Sequence, residues 1–263
     1  ISHGQFGSIY ASATLLSSFV LIWIGKKIDD VSAFKFSLFV IVLFSISSYF
    51  FSTIKIVPLL FVGIFLLRLS GQGLMSHTSS TTVSRYFEKS RGRALSISWF
   101  GLSTAEFILP VFVVFLLTVT SWQNIWIIIS FVLIIFLPIV SFFLIKNITL
   151  DTRENSFVTK NIPNKIKQWK RSEVLKDYRF YVISLNMLAM PSIATGVFVY
   201  QSFILSSKNW GPFIIAQSFM VYSVMSVITL TVAGFLIDKF SSRRLLIFMN
   251  IPLFLSAVIL AKF

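Results

Sequence analysis

The stretch Gly234-Phe235-Leu236-Ile237-Asp238-Lys239-Phe240-Ser241-Ser242-Arg243-Arg244 closes a long apolar run, and 209 residues earlier Gly25-Lys26-Lys27-Ile28-Asp29-Asp30 closes another. Both carry the spacing Gly-x-x-x-Asp where apolar sequence gives way to charge. Glycine at such a point lets two helices approach closely at a membrane edge. Aspartate there can cap the positive N-terminus of a neighbouring helix. Two copies in equivalent places imply a bundle made of two related halves.

Working outward from these loops, the chain is a series of apolar runs. A helix needs about 20 apolar residues to cross the hydrocarbon core, and eight candidates lie at 4–24, 35–54, 57–80, 92–117, 122–145, 180–206, 212–237 and 245–262. The expected fold is therefore all-α, a polytopic transmembrane bundle of about eight helices with pseudo-symmetric halves. Composition agrees: hydrophobic residues make up 56% of the 263 and charged ones 12%, about half the charge of an ordinary soluble domain. A water-facing surface could not be clothed with so few charges, so the apolar excess faces lipid.

The formal charge of +14 invites a nucleic-acid reading, but the placement of the charge excludes it. Nineteen of the 23 Lys and Arg fall in alternate connecting segments on one side of the spans: 26–35, 85–93, 146–179 and 239–244. Lys55, Lys208 and Lys262 alone mark the other side. By the positive-inside rule the first side is cytoplasmic and both ends of this chain lie outside. Trp122 and Trp210 are then anchors at the outer interface. With no Cys and two separated His, a thiolate metal site or disulfide framework is excluded, and no cofactor is called for.

The polar stretch 147–179 divides the spans five and three, giving an N-terminal half-bundle (1–146), a cytoplasmic linker, and the first helices of a second half (180–263). Within the linker Ile162, Ile166 and Trp169 recur at helical spacing among Lys165, Lys167, Lys170 and Arg171. That spacing fits either a short amphipathic helix on the inner leaflet or a solvated linker.

These loops resemble those of the major facilitator superfamily, whose loop between helices 2 and 3 carries Gly-x-x-x-Asp-(Arg/Lys)-x-Gly-(Arg/Lys)-(Arg/Lys), echoed between helices 8 and 9. The copy at Gly234, Asp238, Lys239, Arg243 and Arg244 has Ser in place of the second Gly; the copy at Gly25 and Asp29 has Asp30 for the basic residue and Ser32 for the Gly. Arg68-Leu69-Ser70-Gly71-Gln72-Gly73, then Ser84 to Ala94, then Gly101 to Pro110 are similar to helix 4, loop 4-5 and helix 5, particularly of the monocarboxylate and oxalate/formate-like branches. The resemblance implies that this chain holds helices 2 to 9 and lacks helix 1 and helices 10 to 12. It also implies a carrier working by alternating access, with Asp238 beside Arg93 or the first amides of the following helix in the closed inner gate.

Two charged side chains lie well inside the spans, Arg68 and Glu106. A central charge costs about 2.5–3.5 kcal/mol even on lenient insertion scales, so such residues usually border a cavity and carry function. On adjacent antiparallel spans, the two are placed to meet. One reading gives Arg68 an anionic substrate and Glu106 the uptake and release of a coupling proton; the other is a permanent Arg68–Glu106 pair that fixes packing. Gln72, Tyr200 and Gln201 are further pathway candidates, the last two because Pro191 and Gly196 let their helix bend nearby. The implied function is a secondary transporter, monomeric in the plasma (inner) membrane, moving a small solute such as a carboxylate with protons. A drug-like or sugar carrier is the alternative within that class. A membrane-embedded enzyme is the alternative outside it, and it would require a nucleophile, metal ligands or an acid/base cluster.

Overall fold

A computed structural model describes residues 2–87, 90–146, 171–210, 213–240 and 242–262 of the chain. The described residues are helices and their connections, with no strand, and seven helices are long and apolar enough to cross a membrane. The protein is an all-α, multi-pass integral membrane protein. It divides into two compact units, Ile1–Lys160 and Asn161–Phe263.

In the first unit, α1 (His3–Gly25) continues through a 3₁₀ turn (Lys26–Asp29) into α2 (Ala33–Ser52). Asp30 and Val31 interrupt the helix, and the Ser32 hydroxyl restarts it by accepting a bond from the Lys35 amide at 3.4 Å. α3 (Val57–Tyr86) opens with Pro58 in its first turn, where the missing N–H costs nothing. α4 (Arg91–Val119) and α5 (Trp122–Ile145) follow, the latter capped by Ser121.

The core of this unit is built on close approach. Ile28, Phe36, Val40, Leu69 and Leu74 form one buried cluster. Along the α2–α5 seam, the Ser45 hydroxyl donates to the Ser130 carbonyl at 2.9 Å and the Ser130 hydroxyl to the Ser45 carbonyl at 2.8 Å. Lipid tails are as apolar as leucine, so membrane helices gain from small residues that bring backbones together and from bonds across the gap. Serine supplies both. At the end of the same seam where α2 finishes and α5 begins, the ring of Phe51 lies 4.9 Å from that of Trp126 and 6.3 Å from that of Trp122, centroid to centroid.

The second unit contains α6 (Arg171–Lys176), α7 (Tyr178–Val199), α8 (Gln201–Ser207), α9 (Phe213–Phe240), α10 (Ser242–Leu245) and α11 (Ile251–Lys262). Two of its spans differ from the sequence expectation. The run 180–206 is two helices with a break at Tyr200. The run 245–262 contains a turn over 246–250, and its helix begins only at Ile251, which leaves it too short to cross alone. Asn250 and Pro252 account for this: Pro252 lacks the N–H a helix interior needs and restricts Ile251, and the Asn250 amide turns to α7 instead. There Asn250 Nδ2 donates to the Asn186 carbonyl at 3.0 Å, while Asn186 Nδ2 donates to the Leu246 carbonyl at 3.0 Å. The expected amphipathic pattern at Ile162, Ile166 and Trp169 lies outside the described residues.

Candidate functional site

α3 is not one uniform helix. Between Val57–Leu67 and Ser76–Tyr86 it adopts a π-helical stretch, Arg68–Met75, a conformation that is rare and frequent at functional sites. Gly73 suits it: a Cβ there would lie 3.2 Å from the Arg68 carbonyl oxygen and 3.4 Å from the methyls of Leu21 on α1. Gly71 likewise yields to α2, where a Cβ would meet the Phe44 ring at 2.8 Å.

Arg68 opens this stretch, where α1 and α2 pack across it. Side chains of a helix lean toward its N-terminus, so Arg68 reaches back along α3 to Tyr10 of α1. Its Nη2 donates to the Tyr10 hydroxyl, and its Cζ lies 4.4 Å from the centre of the Tyr10 ring, a cation–π distance. Nε is buried and, among the described residues, has no hydrogen-bond partner. Among the described residues Arg68 makes no ion pair.

Glu106 is half-buried in α4, four residues before Pro110. The missing proline N–H leaves the Glu106 carbonyl without its usual helical donor, so polarity is concentrated there in side chain and backbone alike. Glu106 forms no ion pair with Arg68. The reason is where the helices touch: α4 packs mainly on Ser76–Tyr86, the far portion of α3, whereas Arg68 sits in the stretch held by α1 and α2. Gln72, one turn beyond Arg68, is exposed.

In the second unit Tyr200 is the hinge residue itself, with φ −100° and ψ 14° between α7 and α8, and Gln201 is the first residue of α8. Pro191 is accommodated inside α7, so the break falls nine residues beyond it. Phe198 stacks on Phe219 of α9 at 5.2 Å, with Tyr222 edge-on at 6.1 Å. These aromatics hold α7 to α9 just before the break.

The two glycine-aspartate loops are built differently. Gly25 is the last residue of α1 and is buried. A Cβ there would come within 3.3 Å of the His77 ring, whose Nε2 lies 3.1 Å from the Gly25 carbonyl. Two turns further along α3, Arg85 forms an ion pair with Asp29. Gly234 is also buried, but it and Asp238 lie inside α9, which runs on to Phe240. Asp238, Lys239 and Arg244 are exposed; the side chain of Arg243 lies outside the described ones. Arg93 is exposed near the start of α4, in the first unit.

Sequence reasoning did not find Tyr10, although a signal exists. It is the one phenol in the first span, and Arg68 needs an acceptor on that side. Arg85 was visible only as part of a basic loop, and Asn186 only as one polar residue among several.

A bundle of apolar helices with a cation seated among its spans defines a polytopic membrane protein. The model of the Major Facilitator Superfamily matches residues 1–263, and the chain belongs to that superfamily, a family of membrane transporters acting on small molecules. No curated protein matches the chain.

Proposed function

We propose that the protein carries a small carboxylate by alternating access, coupled to protons, with Arg68 binding the anion and Glu106 moving the proton. The observation that supports this most directly is the state of Arg68. A guanidinium carries five donors, and here one is spent on a neutral hydroxyl and another is buried with no partner. A cation kept in a membrane span with no carboxylate partner among the described residues is suited to take one from a ligand. Glu106 stands apart from that cation, so its protonation need not compete with a fixed ion pair. Tyr200 and Gln201 at the break of α7 supply a bending wall, and Gln72 a further polar contact.

In this reading the carrier is a monomer of the plasma (inner) membrane. Its basic loops face the cytoplasm, and residues 1–146 and 180–263 belong to two halves joined by the linker 147–179. Asp29 with Arg85 closes the inner side of the first unit, and Asp238 is the corresponding acid of the second. The branch it fits best is the monocarboxylate and oxalate/formate-like one.

The test is uptake into proteoliposomes across acetate, lactate and oxalate, with and without a pH gradient. Wild type is expected to accumulate at least one of these against its gradient when the outside is acidic. Arg68→Gln abolishes uptake, while Glu106→Gln retains exchange but loses the response to pH. Proton movement that survives Glu106→Gln removes the coupling role; sugar or amine uptake with no carboxylate uptake removes the substrate class.

A further inference from the structure

Nε and Nη2 form the side-on edge of a guanidinium, two parallel donors spaced to match the two oxygens of one carboxylate. In Arg68 this is the edge that Tyr10 covers. Nη2 donates to the Tyr10 hydroxyl, and Nε beside it is enclosed and unbonded. The ring lies against the guanidinium as well as the hydroxyl, with Cζ 4.4 Å from its centre. The hydroxyl proton of Tyr10 is donated to none of the described residues.

We infer that Tyr10 and the side-on edge of Arg68 together form a three-donor seat for a single carboxylate group, in which Tyr10 changes from acceptor to donor when the ligand arrives. This deepens the function proposed above and rests on Arg68 as the anion-binding group. The chemistry is direct. In the empty state the phenol oxygen accepts from Nη2 and stands in for one ligand oxygen, which leaves Nε unmatched. A carboxylate brings two acceptor oxygens in one plane. One takes Nη2, the other takes Nε, and the displaced phenol turns its proton onto the nearer oxygen. Three donors then face two anionic oxygens, and the buried Nε is satisfied.

Two features fit a binding role better than a packing one. A purely structural arginine would be expected to spend its buried donors on carbonyls or a carboxylate of its own, since an unmet buried donor costs about 1–3 kcal/mol. Tyr10 is also only half-buried, so its ring is not enclosed on every side. The seat selects for a planar anion. A primary amide of the same shape lacks the charge and presents an N–H₂ group where Nε or Nη2 needs an acceptor, so it is excluded.

The experiment is equilibrium binding of radiolabelled benzoate to the full chain in lipid nanodiscs, with acetate and acetamide as competitors. Wild type, Arg68→Gln, Arg68→Lys and Tyr10→Phe are compared, and a thermal melt confirms that each is folded. Tyr10→Phe keeps the ring over the cation and removes only the hydroxyl. The expected results are binding displaced by acetate and not by acetamide, none detectable in Arg68→Gln, and a loss of about tenfold in Tyr10→Phe, the net gain when the phenol exchanges a guanidinium donor for a carboxylate acceptor. Arg68→Lys, which keeps charge but not the fork, falls between Arg68→Gln and wild type. Loss in Arg68→Gln with unchanged or tighter binding in Tyr10→Phe overturns the role of Tyr10 and leaves the anion site standing. Wild-type binding that persists in Arg68→Gln, or no benzoate binding by wild type, overturns both.

Discussion

The two units solve the same problem of holding apolar helices together in an apolar solvent, and they solve it with different means. In the first, small residues and serines let α2, α3 and α5 close on one another, and a buried cluster runs from Ile28 to Leu74. In the second, α7 and α11 bury none of their residues, and the polar tie is an amide pair, Asn186 with Asn250. The loops show the same divergence. Gly25 ends a helix and receives His77 from α3, with Arg85 pairing to Asp29 just beyond it, whereas Gly234 is simply one residue of a continuous α9. A shared spacing therefore marks a shared position in the two halves without dictating a shared local shape. What decides the shape is the sequence just beyond it: Asp30-Val31-Ser32 stops and restarts the chain, and nothing before Phe240 does so in α9.

The sharpest way to break this contrast is to overfill the tight seam. Ser45→Leu places a large side chain where two backbones meet and should cost about 3 kcal/mol, the upper range for overpacking. Thermal unfolding in detergent, followed by tryptophan fluorescence, is the measure. Asn186→Leu in the looser unit should cost far less, and equal losses would dissolve the distinction between the units. Next in size is Gly25→Val, whose branched Cβ would press into the His77 ring and should cost about 1–2 kcal/mol; Gly25→Val with His77→Ala recovers part of that loss in the same melt if the close approach is the cause. Smaller again is the Asp29–Arg85 pair. Both side chains keep about a third of their exposure, so a double-mutant cycle with Asp29→Asn and Arg85→Gln should give a coupling of only about 0.5–1 kcal/mol, falling as salt is raised. Smallest is Asn186→Ala, at about 0.6 kcal/mol, the average for a hydrogen bond between membrane helices.

Much of this architecture was legible because one physical rule dominates it. Every backbone polar group in lipid must be satisfied within its own helix, so length and hydropathy alone located seven spans. The eighth misled because a window average passes over Asn250 and Pro252, and the local chemistry of those two residues decides where α11 begins. The break at Tyr200 was foreshadowed by Pro191 and Gly196, though it falls just past the Phe198–Phe219 stack, a contact between helices that spacing cannot reveal. Arg68 and Glu106 stood out because charge in hydrocarbon is rare. Their partners did not, since adjacency in sequence says nothing of which third of a helix touches its neighbour, and it was α1, not α4, that came up beside Arg68.

The π-helical stretch in α3 has a geometric consequence for the whole first unit. Each residue advances an α-helix by about 100°, so a stretch wound more loosely resets the angular register of everything after it. Upstream, that register aims Arg68 at the N-terminal half of α1; downstream, it aims His77 and Arg85 at the C-terminal end of the same helix and its loop. Were Arg68–Met75 to rewind as ordinary α-helix, one of these two sets of contacts would swing away. The Arg68–Tyr10 contact and the loop at Gly25 and Asp29 are thereby tied to each other through a single rod, by rotation rather than by any chain of side chains between them.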